Sequence, residues 1–167
     1  MSLDAVIDAL AAPYQPQAAL AALDAALQQA VGHRFLSVLV YRHAEGVAER
    51  IHSNRPELFP VGARKAFADA PTQRRVAETG KPYIGRDAHD LRRDFPDHEK
   101  IFALGCESIL NMPVLWRGRS LGQVNLLHGA GHYHDDHLPP VRVLSHLMIP
   151  VLLLAGHGAA DGTASTA

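Results

Sequence analysis

Cysteine is nearly absent: Cys106 is the only one in 167 residues. That excludes a disulfide framework within one chain and argues against a cysteine-based structural zinc site. An excess of positive charge is missing too. Lys and Arg number 16 against 17 Asp and Glu. Such a balance has no surplus cations to displace counterions, which argues against nonspecific nucleic-acid binding. Long apolar runs are also lacking. The longest, Leu147 to Ala155, contains Pro150 and falls well short of the ~20 residues that span a bilayer. The opening MSLDAVIDAL has no basic n-region and no sustained apolar stretch, so neither a signal peptide nor a membrane anchor is expected, and the expected location is cytoplasmic. What remains is ordinary for a globular domain: 47% apolar and 20% charged residues, in a length that suits one domain with a real core.

The most informative stretch is Leu104 to His128, LGCESILNMPVLWRGRSLGQVNLLH. It reads as two strands, roughly Glu107 to Leu115 and Arg119 to Leu127, joined by the three-residue loop Trp116-Arg117-Gly118 with glycine where positive φ is needed. Leu115 then faces Arg119, and opposed residues share a side. One face carries Ser108, Leu110, Met112, Val114, Ser120, Gly122, Val124 and Leu126, small and apolar, as suits helices packed on a sheet. The other carries Ile109, Asn111, Pro113, Leu115, Arg119, Leu121, Gln123, Asn125 and Leu127. Carboxamides among aliphatics suit a dry core poorly, because an unpaired buried amide costs roughly 1–3 kcal/mol. Two readings follow: a ligand pocket lined by Asn111 and Asn125, or amides that satisfy loop backbone across the sheet.

The rest of the chain falls into order around this hairpin. Ser2 to Ala11 reads as a short amphipathic helix capped by Ser2 and broken by Pro13 and Pro16. Gln17 to Val31 reads as a second helix, ended by Gly32. Phe35 to His43 and Val47 to Ser53 read as an antiparallel hairpin. Asn54 to Lys65 is a Pro- and Gly-rich loop whose Arg55, Arg64 and Lys65 either recognise an anion or are solvated surface charge. Ala66 to Ala70 and Pro71 to Thr79 are helical pieces, and Pro82 to Gly85 is a short strand. Leu138 to Ala155 is the last helix, with Pro139 and Pro140 in its first turn and a kink expected at Pro150. Residues 1–16 form a helical extension, 17–155 one domain, and 156–167 a small, polar, disordered tail.

Three further groups could carry chemistry. Asp94, Asp97, His98 and Glu99 could serve acid–base work or a metal, though Asp97 after Pro96 also suits a helix start. Cys106 could be a nucleophile with His98 as base, or a buried and inert thiol. His128, His132, His134 and His137 with Asp135 and Asp136 form a histidine-rich loop. Its spacing fixes no tetrahedral geometry, so neither a metal nor another cofactor is expected, and Asp135 is read as a helix cap.

Helix, hairpin, helical connection, hairpin, helix is an α+β plan. Gly105, Ser108, the Met112-Pro113 pair, Gly118, Gly122, Tyr133, Asp136 and Leu144 follow a recurring pattern. From about Gln17 to Ala155 the chain resembles the GAF domain. The resemblance implies a central antiparallel sheet of five to six strands, with the N- and C-terminal helices on one face and a small-molecule pocket on the other. It also implies a sensory or regulatory role. No kinase, cyclase or DNA-binding portion accompanies the domain here, so a stand-alone module is expected. Asp94-Phe95-Pro96-Asp97-His98 is similar to the Phe-Pro-x-His of free methionine-(R)-sulfoxide reductases, an enzymatic branch of the family. Their disulfide cycle needs more than one cysteine, and their substrate-gripping carboxylates appear here as Ile109, Asn125 and Leu127, which rejects that activity as the leading reading.

The expected pocket is therefore walled by Ile109, Asn111, Gln123, Asn125 and Leu127, with Tyr41 and Arg64 at its edges. Its ligand is small and polar or mildly anionic. Replacing Asn111 or Asn125 by leucine is expected to weaken ligand retention and leave folding largely intact. The alternative is a small-metabolite enzyme using Cys106 or the Asp97/His98 pair. A homodimer through the alanine-rich second helix and the terminal helix is compatible with either.

Overall fold

The computed structural model describes residues 3–157. Ser2, read as a cap, and the tail from residue 158 onward lie outside the described residues. Six strands form one sheet: β1 (Phe35–Arg42), β2 (Val47–Ser53), β3 (Arg64–Ala66), β4 (Tyr83–Gly85), β5 (Ser108–Trp116) and β6 (Arg119–His128). Their order is β3-β2-β1-β6-β5-β4, and every neighbouring pair is antiparallel.

Alternation along β1, β5 and β6 creates two different faces. Leu36, Val38, Val40, Leu110, Met112, Val114, Val124 and Leu126 point to one side. There they meet α1 (Leu3–Leu10), α2 (Gln17–Ala30), α6 (Leu138–His146) and α7 (Ile149–His157), whose Val6, Leu20, Leu23, Leu27, Val141, Met148 and Leu152 complete the core. The opposite side is covered by α3 (Pro71–Thr79), α4 (Ala88–Asp94) and α5 (His98–Ala103), through Leu91 and Ile101 against Phe35, Ile109 and Leu127, and Ala77 against Leu39 and Tyr41. Among the described residues no single helix is long and apolar enough to cross a membrane.

Several expectations are corrected. Arg64–Ala66, placed at the end of a loop, is an edge strand on β2. The terminal helix is two helices, α6 and α7, meeting at a bend of 54°. The break falls at Leu147 and Met148, whose N–H groups donate to Leu144 and Ser145 three residues back, just before Pro150 enters the first turn of α7. Gly156 and His157, assigned to the tail, belong to α7.

One ion cluster ties the helical layer to the sheet. Asp24 on α2 places one carboxylate oxygen 3.1 Å from His33 Nε2 and the other 3.0 Å from His52 Nε2 on β2. Burial raises the Asp24 carboxyl, but hydrogen bonds and positive charge from both histidines outweigh it and hold it down to about 2. A carboxyl depressed in the folded state stabilises the protein above its ordinary value of 3.8 and loses that contribution as pH falls through about 2. Asp24→Asn is therefore expected to remove on the order of 2 kcal/mol near pH 5. The difference between variant and parent should shrink toward pH 2 in chemical denaturation followed by circular dichroism.

Candidate functional site

Two bulges decide which side chains reach the α3 side of the sheet. The β5–β6 turn contains two residues rather than three. Arg117 and Gly118 both have positive φ, 52° and 74°, as a two-residue hairpin requires. Trp116 faces Arg119 and Leu115 faces Ser120, a pairing that alone would set Asn111 against an apolar core position. Leu121 then bulges out of register, and beyond it Val114 faces Gly122, Pro113 faces Gln123 and Asn111 faces Asn125. The extra residue restores the parity that keeps all three carboxamides on one face. It also turns Leu121 toward the helical core. A second bulge lies in β2: His52 faces Val38 and Arg50 faces Leu39, leaving Ile51 unpaired. Regular alternation would put Arg50 and His52 on one side. The bulge instead sends His52 to Asp24 and Arg50 to the opposite face.

These residues floor a cavity of about 100 Å³ lined by Ile109, Asn111, Gln123, Asn125 and Leu127 from the hairpin, Ser37 and Leu39 from β1, and Arg50 from β2. Phe59, Lys65, the first turn of α3 at Ala70 to Gln73, and Asp94 to Asp97 with Ile101 close over it. An outer groove of about 460 Å³ shares Leu39, Arg50, Phe59, Lys65, Gln73 and Asp97 with it.

The floor is a polarised relay. The Tyr41 hydroxyl donates to Gln123 Oε1, and the Gln123 amide donates to Asn125 Oδ1. Asn111 Nδ2 donates to that same oxygen at 2.7 Å, and Asn125 Nδ2 donates to Ser37 Oγ at 3.2 Å. Asn111, Gln123 and Asn125 are 2%, 1% and 8% exposed. Asn111 Oδ1, at the end of the relay, is buried with no partner among the described residues, as are Gln73 Oε1 and Arg50 Nε. Burial raises the Tyr41 hydroxyl well above its ordinary range, which keeps it a donor.

The cavity wall is charged. Arg50 Nη1 donates to the Pro60 carbonyl at 3.2 Å, and its guanidinium sits 5.3 Å from the centre of the Phe59 ring. Burial lowers the Arg50 side chain from its usual value and the Asp97 charge opposes that shift. Lys65 Nζ is 2.8 Å from Asp97 Oδ2. Asp94 accepts from Arg93 at 3.0 and 2.7 Å and from the Tyr83 hydroxyl at 2.5 Å. The Arg93 hydrogen bond, opposed by burial and aided by Tyr83, keeps the Asp94 carboxyl below its usual value.

No family model matches the chain, and no curated protein matches it. Solved structures do. The GAF domain of a phosphoenolpyruvate-protein phosphotransferase from Coxiella burnetii superposes with a TM-score of 0.71 at 20% identity, covering 95% of this chain and 92% of that one. The GAF domain of the Acinetobacter phosphoenolpyruvate-protein phosphotransferase gives 0.72 at 15% identity, covering 99% and 100%. The fold is that of a GAF domain. The chromophore-binding domain of a bacteriophytochrome from R. palustris is also similar, with a TM-score of 0.66 at 16% identity over 91% of this chain and 60% of that one.

Within the GAF fold, Ile109, Asn111, Gln123, Asn125 and Leu127 come together at the cavity. Tyr41 does not line it: it stands behind Gln123, buried, and is hydrogen-bonded to that amide. Arg64 lies in the outer groove, paired to Glu45 at 2.7 Å and Glu49 at 2.9 Å. Asp97 lines the cavity and occupies the start of α5, but its carboxylate goes to Lys65 rather than capping the helix. His98 turns Nδ1 to the Phe95 carbonyl at 2.8 Å and is not part of the lining. Cys106 is fully buried outside the cavity, its thiol raised chiefly by burial. Asp135 is not the cap read from sequence. His134 occupies that position, and Asp135 lies 3.5 Å from Arg86. The histidine-rich loop stacks His128 on His132 at 3.7 Å, and among the described residues no group of three or more His, Cys, Asp or Glu is arranged to hold a metal. Sequence reasoning missed Arg50, Thr72, Gln73 and Phe59.

Proposed function

We propose that this chain is a cytoplasmic sensory or regulatory module that binds one small, polar or mildly anionic metabolite in the amide-floored cavity. The observation that carries this reading is the set of unanswered polar atoms. Asn111 Oδ1, Gln73 Oε1 and Arg50 Nε are buried without partners among the described residues, and all three residues line the same recess. Each such group costs roughly 1–3 kcal/mol if nothing meets it, and a ligand with its own donors and acceptors meets all three. Thermal-shift screening against small acids, amides, amines and sugars tests the reading. One class should raise the midpoint by about 5–10 °C at roughly one hundred times its Kd, and Arg50→Ala should erase most of that rise. A screen in which no class moves the midpoint contradicts the proposal.

The enzymatic alternative draws less support. Cys106, with its thiol raised by burial, lies outside the cavity, and a nucleophile needs thiolate character and access. Slow alkylation at neutral pH, unchanged by any compound that stabilises the protein, is the expected behaviour.

Pairing of two copies belongs to the same proposal, but not through the alanine-rich second helix expected from the sequence: its Ala19, Ala22 and Ala26 are buried within one chain, and α1 and α7 carry the exposed apolar residues instead. Leu3 and Ile7 on α1 are 44% and 48% exposed, and Leu154 on α7, 73% exposed, lines a groove with Leu10, Pro16 and Val151. Light scattering should give twice the mass of one chain at micromolar concentration, and Ile7→Glu with Leu154→Glu should halve it. A parent chain that runs as a monomer refutes the pairing.

A further inference from the structure

We propose that the ligand is a small monocarboxylic acid carrying an N–H or O–H donor at the end remote from its carboxylate. This rests on the binding function proposed above and assigns its chemistry.

The charge balance around the cavity points to a single negative charge. Lys65 is neutralised by Asp97. Asp94 is neutralised by Arg93. Arg50 remains: its Nη1 is spent on a backbone carbonyl and its Nε on nothing among the described residues. Beside it stands the start of α3, a nine-residue helix whose cap, Ala70, supplies no side-chain acceptor. Pro71 has no N–H, and among the described hydrogen bonds those of Thr72 and Gln73 have no acceptor. Ala70 to Gln73 line the cavity. An uncapped helix start adds about half a positive charge. One guanidinium edge and one helix start suit a carboxylate, which accepts from an arginine in its own plane. A dianionic phosphate would face the carboxylates of Asp94 and Asp97 with a single uncompensated cation.

The opposite flank makes the opposite demand. Asn111 Oδ1 is an acceptor, because the other end of that amide is committed to Asn125. A carboxylate oxygen cannot meet it; it needs a hydrogen donor. Arg50 lies on β2 and Asn111 on β5, with β1 and β6 between them. Their backbones are therefore about 14 Å apart at ~4.8 Å per strand, and their side chains close the distance from both sides. A ligand that answers both places its acid toward β2 and its donor toward β5.

Isothermal calorimetry with three matched probe series tests this: unbranched ω-hydroxy acids of ~3 to 6 carbons, a length range suited to so small a recess, the parent acids without hydroxyl, and the diols without carboxylate. The hydroxy acid of best length should bind at least about tenfold tighter than either matched analogue. Arg50→Gln should abolish the preference over the diol, and Asn111→Leu the preference over the parent acid. Because the parent protein alone gives the ranking, a variant that fails to fold does not remove the test. A diol that binds as well as the hydroxy acid overturns the acid end. A parent acid that binds as well overturns the donor end. If no probe binds while a compound of another class stabilises the protein through Asn111 and Arg50, the ligand class falls and the binding function stands. If no compound of any class binds, both fall.

Discussion

Replacing Gly122 by alanine is expected to destabilise the protein by about 3–5 kcal/mol, the largest effect expected at any of the described glycines. Gly122 lies in β6 opposite Val40, where the two central strands pass between the helical core and the cavity floor. A Cβ there would collide with the Leu39 carbonyl oxygen and stand 3.1 Å from Leu152 Cδ2. The leucine side chain can move, but the carbonyl belongs to the β1 backbone and can yield only by opening the β1–β6 pairing. Gln123, the next residue, would move with it and break the relay. Urea denaturation should show a large fall in midpoint together with loss of ligand-induced stabilisation. Gly156→Ala, with nothing within 4 Å of the added carbon, should leave the midpoint nearly unchanged. A Gly122→Ala midpoint equally unchanged would mean that the strands are not spaced as described.

Asn125→Leu is expected to cost about 2–4 kcal/mol, against about 1 kcal/mol for Asn111→Leu. The two asparagines look equivalent in the sequence and are not. Asn125 Oδ1 accepts from both Gln123 and Asn111, while its amide nitrogen donates to Ser37. Leucine there strands two buried amide donors. Asn111 makes a single hydrogen bond and keeps a free oxygen. Its loss leaves Asn125 Oδ1 still engaged by Gln123. Near-intact folding therefore remains the expected outcome for Asn111→Leu, and a substantial loss replaces it as the expected outcome for Asn125→Leu. Asn125→Asp, which keeps the acceptor at that point, should recover part of the loss above the carboxyl's pKa. Equal destabilisation by Asn111→Leu and Asn125→Leu in urea titrations would contradict the hub role.

The face assignment from Ile109 to Val114 and from Gly122 to Leu127 was legible because alternation follows from strand geometry alone, whereas Leu121, expected on the carboxamide face, packs on the helical core. The loop was not legible. Trp116-Arg117-Gly118 fits a three-residue loop by composition, yet Arg117 accepts positive φ and the turn tightens to two residues. The Leu121 bulge then cancels the slip, so the carboxamides face the cavity by a route that periodicity does not encode. The β2 bulge hid more. In regular alternation Arg50 shares a side with His52, and only an unpaired Ile51 separates them. Arg64 looked the better cation from its place in a polar loop, but Glu45 and Glu49 neutralise it. Tyr41 was legible as a residue on the right face of β1, and its length carries the hydroxyl behind Gln123 rather than into the cavity. The start of α3 was readable from Pro71, whereas its approach to the cavity depends on tertiary packing.

Side-chain amide resonances report on the cavity floor without any substitution. A 1H–15N titration of the unmodified protein, using whichever compound gives the largest thermal stabilisation, should shift the NH2 pairs of Asn111, Gln123 and Asn125 together with Arg50 Nε–H, saturating at one equivalent. If those signals stay fixed while the perturbations gather on the histidine loop from His128 to His137 or on α1 and α7, the cavity is not where this protein takes its ligand.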